Sequence, residues 1–300
     1  MAIRKLNAIL GTRLTSDLFL LLAAFIWGGG FAAQRAGAVH MGFFGFNSIR
    51  FLLAGIILLP FVWKRFRKQR GNLHWILISG LILFAGSSLQ QAGLETTTAG
   101  SAGFITGVYV IIIPILLLIF WRQPTSAATW IAAFAALGGT YLLSTGGKSF
   151  TPSPGDLLVL VGALVWALHV IVVGFAVKIM DVMAFSAGQF LVCGLLHLGM
   201  STVSEPVTVE AVSASLWPLL YAGLFSAALG FTCQAIGQRG APPADAALIL
   251  SLEAVFAALA GALLLGEQMS PLQYLGCGII LAAILFAQLA AYQITRKASA

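Results

Sequence analysis

Hydrophobic residues occupy most of this 300-residue chain in long runs that short polar stretches separate. Ten of these runs approach the length of about 20 residues that an α-helix needs to cross a bilayer. Polar residues do not recur at every second position, so the runs are not the strands of a membrane barrel. The pattern therefore predicts an all-α integral membrane protein with ten transmembrane helices. The predicted spans are 17–38, 43–63, 73–94, 100–121, 126–145, 155–177, 183–203, 213–235, 244–266 and 271–293.

A repeat divides these ten spans into two groups of five. When the sequence is shifted by 139 residues, ten of the 39 positions in residues 17–55 are identical in residues 156–194. Because five is an odd number, the second copy enters the membrane from the opposite side, so the two copies form inverted five-helix repeats. We expect repeats at 17–145 and 155–293. The identical pairs include Asp17/Asp156, Trp27/Trp166, Phe46/Phe185, Phe51/Phe190 and Gly55/Gly194.

Composition and charge agree with a membrane protein and indicate its orientation. Hydrophobic residues make up 60% of the chain and charged residues 8%, with a mean hydropathy of +0.99, which leaves no room for a soluble domain. With the N-terminus inside, thirteen Lys and Arg residues lie on the inner side and two on the outer side. The positive-inside rule then predicts that both termini are cytoplasmic. The five cations in residues 64–70 flank a span, which favours lipid head groups over nucleic acid as their neighbours.

Two ionisable residues lie deep in predicted spans, Arg50 in the second and Glu253 in the ninth. A charge at that depth costs roughly 2.5–3.5 kcal/mol on insertion scales, so each should face a cavity or a partner. One interpretation is a structural ion pair between them, and the other is that Arg50 binds an anionic substrate group while Glu253 binds an ammonium group or carries a proton. The further candidate substrate-binding residues are Trp27, Asn47, Gln91, Tyr109, Trp166, His169, Gln189 and Gln234.

Structural explanations stay open for several of these candidates. Trp27 and Trp166 occupy equivalent positions near mid-membrane, where they either pack between helices or contact a substrate. His169 is either a hydrogen-bonded structural residue or a proton relay. Gln91 and Gln234 form a second candidate repeat pair, at a spacing of 143 residues. The three cysteines lie inside spans without metal-ligand spacing, which is typical of small buried residues and predicts neither a metal site nor a disulfide.

The ninth span resembles a known transporter signature. Residues 251–259 read SLEAVFAAL, and residues 263–267 read LLLGE; together with the two repeats they resemble EamA-type transporters of the drug/metabolite transporter superfamily. The sequence departs from that pattern at Ala254, where the family often has proline, and at Arg122-Gln123, where the first half lacks a Gly-Glu pair. The resemblance implies export, sometimes import, of amino acids, other metabolites or drugs. It also implies that spans one to four and six to nine line the cavity.

These observations predict a carrier that moves small metabolites, amino acids or related compounds, outward by alternating access around a midplane cavity. The alternatives are a passive channel, a membrane-embedded sensor and an intramembrane enzyme, although Ser101 lacks a G-x-S-x-G context and no HExxH occurs. We expect a bacterial inner membrane location, a small-molecule substrate and no cofactor. Proton coupling and a homodimer are left open.

Overall fold

The computed structural model describes residues 2–204, 207–265 and 268–298, which form helices joined by short turns. Within these residues, ten helices are long and apolar enough to cross a membrane. Each corresponds to one predicted span, so the predicted all-α, ten-helix architecture is confirmed. Gly266 and Glu267, part of the family-like signature, lie outside the described residues. The spans are α1 (Thr12–Gly37), α2 (Phe43–Phe66), α3 (Leu73–Leu94), α4 (Gly100–Trp121), α5 (Ala127–Thr145), α6 (Pro154–Ala176), α7 (Val182–Ser204), α8 (Leu216–Gly237), α9 (Pro243–Ala260) and α10 (Pro271–Gln293).

The helix contacts show the inverted repeat directly. α1 packs against α8 and α9, and its repeat equivalent α6 packs against α3 and α4, the equivalents of α8 and α9. In the same way α2 contacts α8, and α7 contacts α3. The remaining large contacts, α2 with α7 and α5 with α10, join equivalent helices of the two halves. This reciprocity is that of a pseudo-twofold axis in the membrane plane.

Glycines at equivalent positions allow α2 and α7 to approach closely. A Cβ on Gly55 would lie 2.7 Å from the side chain of Leu191, and a Cβ on Gly194 would lie 2.8 Å from that of Leu52. Leu52 and Leu191 are themselves repeat equivalents. Small residues let the backbones of membrane helices meet where lipid provides no hydrophobic driving force. The matched glycines of the repeat therefore define the central interface between the halves.

Four spans are not regular α-helices along their whole length. The three glycines at 28–30 have little helix preference, and α1 is interrupted there; in α9, the Ser251 hydroxyl donates to the Leu248 carbonyl at 2.6 Å at the break. In membrane proteins, interrupted helices recur where a span lines a binding site. The interruptions are at Gly29 in α1, Val108 in α4 and Ser251 in α9, and α8 is a π-helix over Tyr221–Phe231.

The π-helix reflects one extra residue in α8 relative to α3. Gly80 of α3 contacts Val192, and Gly223 of α8 contacts Leu53, the repeat equivalent of Val192. About two turns later along each helix, Gly86 contacts Trp166, and Gly230 contacts Trp27. Six positions separate the first pair of glycines within α3 and seven separate the pair within α8. An extra residue would rotate the rest of an α-helix by about 100°, and the wider π-helical turns absorb it.

The same extra residue changes the pairing expected for the glutamines. Beyond the π-helix, Gly93 of α3 contacts Val159, and Gly237 of α8 contacts Leu20, which is the repeat equivalent of Val159. The spacing between equivalent residues is thus 144 at this point. Gln234 therefore corresponds to Gln90, and the pairing of Gln234 with Gln91 at a spacing of 143 residues is wrong.

The two ends of the bundle are held by different polar groups. At the end that contains the start of α1, Arg13 donates to Asp245 of α9 at 2.8 Å and to Asp17 at 3.2 Å. Asp245 also accepts from Thr129 at the start of α5, at 3.3 Å. At the other end, the repeat equivalent of Asp17 is Asp156, which accepts from the Thr97 hydroxyl at 2.5 Å. One end is therefore tied by charges and the other by a hydroxyl–carboxylate bond.

Candidate functional site

A cavity lies between the two halves and is lined by residues of seven spans. It encloses about 560 Å³ of space, including its open side. α7 does not contribute to the lining, and neither do the peripheral spans α5 and α10. The polar lining residues are Gln34, Arg50, Gln90, Thr106, His169, Ser226, Gln234 and Glu253, and the aromatic ones are Trp27, Phe31, Tyr109, Trp166 and Phe231.

Most of the cavity lining comes from pairs of equivalent positions in the two repeats, but the ionisable residues Arg50 and Glu253 are not matched by residues of the same type. With the spacing of 144 residues that holds in these spans, Glu253 corresponds to Tyr109, and with the spacing of 139 Arg50 corresponds to Gln189. Both ionisable residues thus have neutral equivalents, and each half provides one charge. The guanidinium group of Arg50 and the carboxyl group of Glu253 therefore reach the cavity from different halves. The equivalent pairs in the lining are Trp27/Trp166, Gly30/His169, Phe31/Val170, Gln90/Gln234, Thr106/Leu250 and Tyr109/Glu253.

Arg50 is held in place by neutral groups. Its Nη1 donates to Gln34 Oε1 at 2.8 Å and to Asn47 Oδ1 at 3.3 Å. Its guanidinium carbon lies 4.5 Å from the centre of the Phe51 ring, a cation–π contact. The residue is 2% exposed, and within the described part of the chain its Nε has no hydrogen-bond partner. Among the described residues, no carboxylate forms an ion pair with Arg50.

Glu253 is also buried, with 8% of its surface exposed. The ion pairs among the described residues are Arg13–Asp17, Arg13–Asp245 and Arg65–Asp181, so neither Arg50 nor Glu253 takes part in one. The structural ion pair considered for Arg50 and Glu253 is thus not formed. Arg50 and Glu253 thus line one cavity without an ion-pair partner among the described residues.

Three of the candidate residues, Asn47, Gln91 and Gln189, do not line the cavity. Each forms a hydrogen bond with a residue that does line it. Asn47 bonds Arg50, and its amide donates to the Ser87 carbonyl at 3.4 Å. Gln91 donates to the backbone carbonyl of Gln34 at 2.9 Å. Gln189 Oε1 lies 3.0 Å from His169 Nε2 and accepts from Ser79 at 2.7 Å.

Phe231 lies between the two tryptophans. Its ring centre is 4.8 Å from that of Trp27 and 5.9 Å from that of Trp166, and it is nearly parallel to the latter. His169 meets both Trp166 and Phe231 edge-on. These residues form an aromatic wall of the cavity. No group of three or more His, Cys, Asp or Glu residues that could hold a metal ion occurs in the part of the chain that is described.

Comparison with known proteins gives the family. The sequence profile of the EamA-like transporter family matches residues 14–145 and 153–289. The chain belongs to the EamA-like transporter family. A protein of Archaeoglobus fulgidus described as an uncharacterized transporter is 30% identical over 277 residues, which cover 92% of this chain and 87% of that protein. The uncharacterized inner membrane transporter YedA of Escherichia coli K12 is 27% identical over 279 residues, which cover 91% of this chain and 90% of that protein.

The fold of this EamA-family transporter is also found in a solved structure. One crystal structure superposes with a TM-score of 0.78 at 17% identity and covers 94% of this chain and 99% of the other. At that identity the likeness concerns the fold alone. The family and its relatives make the chain a multi-pass membrane transporter, and the family resemblance drawn from the ninth span is confirmed.

The cavity brings together seven of the ten candidate substrate-binding residues: Trp27, Arg50, Tyr109, Trp166, His169, Gln234 and Glu253. It also includes residues that the sequence did not single out, above all Gln34, Gln90 and Phe231. Gln34 lies seven residues, about two helical turns, after Trp27, and this spacing is a signal that could have identified it. No sequence signal distinguishes Phe231 from the other phenylalanines.

Proposed function

We propose that this transporter exports small zwitterionic metabolites, amino acids or related compounds, by alternating access of its two halves to the central cavity. The observation that supports this is the presence in a single cavity of Arg50 and Glu253, neither of which has an ion-pair partner among the described residues. Arg50 binds the carboxylate of the substrate. Glu253 binds its ammonium group.

The electrostatic reason is the cost of leaving a buried charge without a partner. Removing one member of a buried ion pair costs about 3–5 kcal/mol, and a substrate that lacks one of its two charges leaves the matching protein group in that condition. A zwitterion satisfies both groups at once. The aromatic wall formed by Trp27, Trp166 and Phe231 then contacts the side chain of the substrate.

The inverted repeat supports alternating access, because exchanging the conformations of two similar halves moves the opening of a central site from one side to the other. Export is the direction that the family resemblance implies most often. The excess of cations on the N-terminal side of the spans supports a cytoplasmic location of both termini, and the likeness to an inner membrane transporter supports the inner membrane.

The substrate class is tested with purified protein in liposomes. Counterflow of each common L-amino acid is measured, and its methyl ester and N-acetyl derivative are used as competitors, since each lacks one of the two charges. We expect saturable counterflow of one or more free amino acids and at least about tenfold weaker competition by both derivatives. If the methyl ester competed as well as the free amino acid, the substrate carboxylate would not be recognised, and the same holds for the N-acetyl derivative and the ammonium group. Flux that does not saturate would indicate a channel.

Variants assign each charge to its residue. Arg50→Gln introduces the residue type found at the equivalent position, Gln189, and should abolish the preference for the free carboxylate over the ester. Glu253→Gln should abolish the preference for the free amine over the N-acetyl compound. If either variant kept both preferences, Arg50 or Glu253 would not be the recognition group. Repeating the assay with an imposed proton gradient determines whether transport is coupled to protons.

A further inference from the structure

Trp27 and Trp166 are repeat equivalents in different hydrogen-bonding environments. The indole Nε1 of Trp27 donates to the Ser226 carbonyl of α8 at 3.0 Å. The Nε1 of Trp166 is buried and has no hydrogen-bond partner among the described residues. Trp166 is 8% exposed and lines the cavity. One tryptophan is thus tied to a neighbouring helix, and the other has a buried donor without a partner on a side chain that lines the cavity.

The extra residue of α8 explains this difference. Ser226 lies inside the π-helix Tyr221–Phe231, the segment by which α8 differs from α3. At the next contact, a Cβ on Gly230 would lie 2.5 Å from Nε1 of Trp27, whereas a Cβ on Gly86 would lie 3.3 Å from the ring of Trp166. The π-helix thus brings α8 up to the indole nitrogen of Trp27. The regular α3 contacts the Trp166 ring without accepting a hydrogen bond from its nitrogen.

Tyr221 adds a second bond at the same interface. Its hydroxyl donates to the backbone carbonyl of Ile26 at 2.5 Å. Ile26 lies one residue before Trp27, within the last turn of the helical segment that ends at Gly28, where carbonyls lack partners within the helix. A Cβ on Gly29 would lie 2.5 Å from the Tyr221 hydroxyl oxygen. Tyr221 therefore contacts α1 on both sides of Trp27.

We propose that the two tryptophans have different roles: Tyr221 is a positioning residue that fixes Trp27 as a wall of the cavity, and Trp166 determines specificity by donating its indole N–H to an acceptor atom of the transported molecule. The second role deepens the proposed function and rests on it. The first concerns the protein alone.

The role of Trp166 follows from its burial. A buried donor without a partner is unfavourable, and a substrate that supplies an acceptor oxygen removes that penalty. The Trp27 N–H already has its acceptor in Ser226, so a substrate gains nothing from it. Replacing either indole by a phenyl ring keeps an aromatic surface and removes the N–H. The matched pair Trp166→Phe and Trp27→Phe therefore isolates the contribution of each donor.

The transport arm uses the free L-amino acid with the highest counterflow in the liposome assay. We expect Trp166→Phe to raise its KM about tenfold, the effect of losing one hydrogen bond, with little change in maximal rate. Trp27→Phe should change the maximal rate, since it loosens α1 from α8, and should raise KM clearly less than Trp166→Phe does, because it removes no hydrogen bond to the substrate. An unchanged KM in Trp166→Phe, or an equal rise in both variants, would overturn the assignment of Trp166.

The positioning arm needs no substrate, because the probe is water. Hydrogen exchange of indole N–H groups is followed by NMR on protein with ¹⁵N-labelled tryptophan, with signals assigned from the two Phe variants. We expect exchange at Trp166 at least tenfold faster than at Trp27. Tyr221→Phe should accelerate exchange at Trp27 several-fold, shift its resonance and leave Trp166 unchanged, with an unaltered thermal unfolding midpoint. No effect on Trp27 would overturn the role of Tyr221.

The two arms separate failure of this inference from failure of the proposed function. If no amino acid is transported, the proposed function is wrong and the role of Trp166 in recognition falls with it. The exchange measurement still decides whether Tyr221 positions Trp27. If amino acids are transported and Trp166→Phe behaves as the unaltered protein does, the proposed function stands and only the role of Trp166 is wrong.

Discussion

Arg50 and Glu253 face one cavity without forming an ion pair, and the neutral groups around Arg50 explain how its charge is retained. Gln34 and Asn47 accept hydrogen bonds from the same guanidinium nitrogen, Nη1. Neutral acceptors orient a guanidinium group without cancelling its charge. The remaining donors stay available for a carboxylate.

We expect that Arg50→Ala and Glu253→Ala each abolish counterflow while leaving membrane insertion intact. Each change leaves the opposite charge of a bound zwitterion without a partner, a loss of about 3–5 kcal/mol that corresponds to more than a hundredfold in affinity. The measurement is flux per inserted molecule in liposomes. Arg65→Ala is the matched control, because Arg65 is 54% exposed in its ion pair with Asp181 and such surface pairs contribute little. Unaltered flux in either cavity variant would contradict the prediction.

The sequence predicted the charged members of the cavity better than its neutral ones. Arg50 and Glu253 were identified because a charged residue inside a span is costly unless it faces a cavity or a partner. Trp27 and Trp166 were identified because they occupy equivalent positions in the two repeats. Gln90 was missed because the single extra residue in α8 cannot be seen without the packing of Gly86 and Gly230. Asn47 was predicted to bind substrate; it accepts a hydrogen bond from Arg50 and is not among the residues that line the cavity.

At the scale of helices, neighbouring glycines of α5 offer an internal comparison. A Cβ on Gly139 would lie 2.8 Å from the Gly276 carbonyl oxygen of α10, whereas a Cβ on Gly138 would have no atom within 4 Å. Gly139→Ala must therefore push α5 away from α10, and Gly138→Ala only adds a methyl group that faces outward. Overpacking of this kind costs about 1–3 kcal/mol.

We expect Gly139→Ala to lower the thermal unfolding midpoint in detergent by several degrees. Gly138→Ala should leave it unchanged or raise it slightly, because alanine is the better helix former. The reciprocal pair on α10 gives an independent check, since a Cβ on Gly276 would lie 2.5 Å from the Gly139 carbonyl oxygen and Gly278 has open space around it. Equal destabilisation by Gly138→Ala and Gly139→Ala would show that the α5–α10 contact is not as close as described.

The polar cluster at the start of α1 leads to a prediction about opening. Arg13 joins α1 to α9 through Asp245, and the equivalent aspartate at the other end, Asp156, bonds a hydroxyl. Asp245→Asn removes the charge that ties the two spans, which at a partly exposed site weakens their association by about 1 kcal/mol or less. Asp156→Asn is the matched control at the opposite end of the bundle.

Access is measured with a single cysteine at Gln234, a cavity residue three residues before the end of α8, in protein without its natural cysteines. We expect Asp245→Asn to increase the rate of labelling by an impermeant maleimide from the N-terminal side severalfold, because a weaker tie populates the state open to that side. Asp156→Asn should not increase it. If the labelling rate were the same without either change and in the Asp245→Asn and Asp156→Asn variants, the polar cluster at the start of α1 would not hold this end of the bundle closed.

For the whole molecule, the fold could be predicted almost completely because its signals are long and repeated. Ten apolar runs predicted ten helices, and the odd number in each repeat predicted inversion, which the packing of α1 on α8 and of α6 on α3 shows. The interruptions at Gly29, Val108 and Ser251 were not predicted. They depend on contacts between distant spans, and hydropathy carries no information about such contacts.

Orientation in the membrane remains a prediction. It rests on the distribution of Lys and Arg, of which thirteen lie on the N-terminal side of the spans and two on the opposite side. We expect a tag at the N-terminus and a cysteine introduced between residues 64 and 70 to be protected from impermeant reagents in intact cells. A cysteine between residues 146 and 154, the linker of the two halves, should react. Five spans lie between the first and the last of these sites, so an odd number of crossings must separate them. If the N-terminus and the linker reacted from the same side, one span of the first half would not cross, the halves would no longer be inverted, and exchange of two similar halves around Arg50 and Glu253 could not occur.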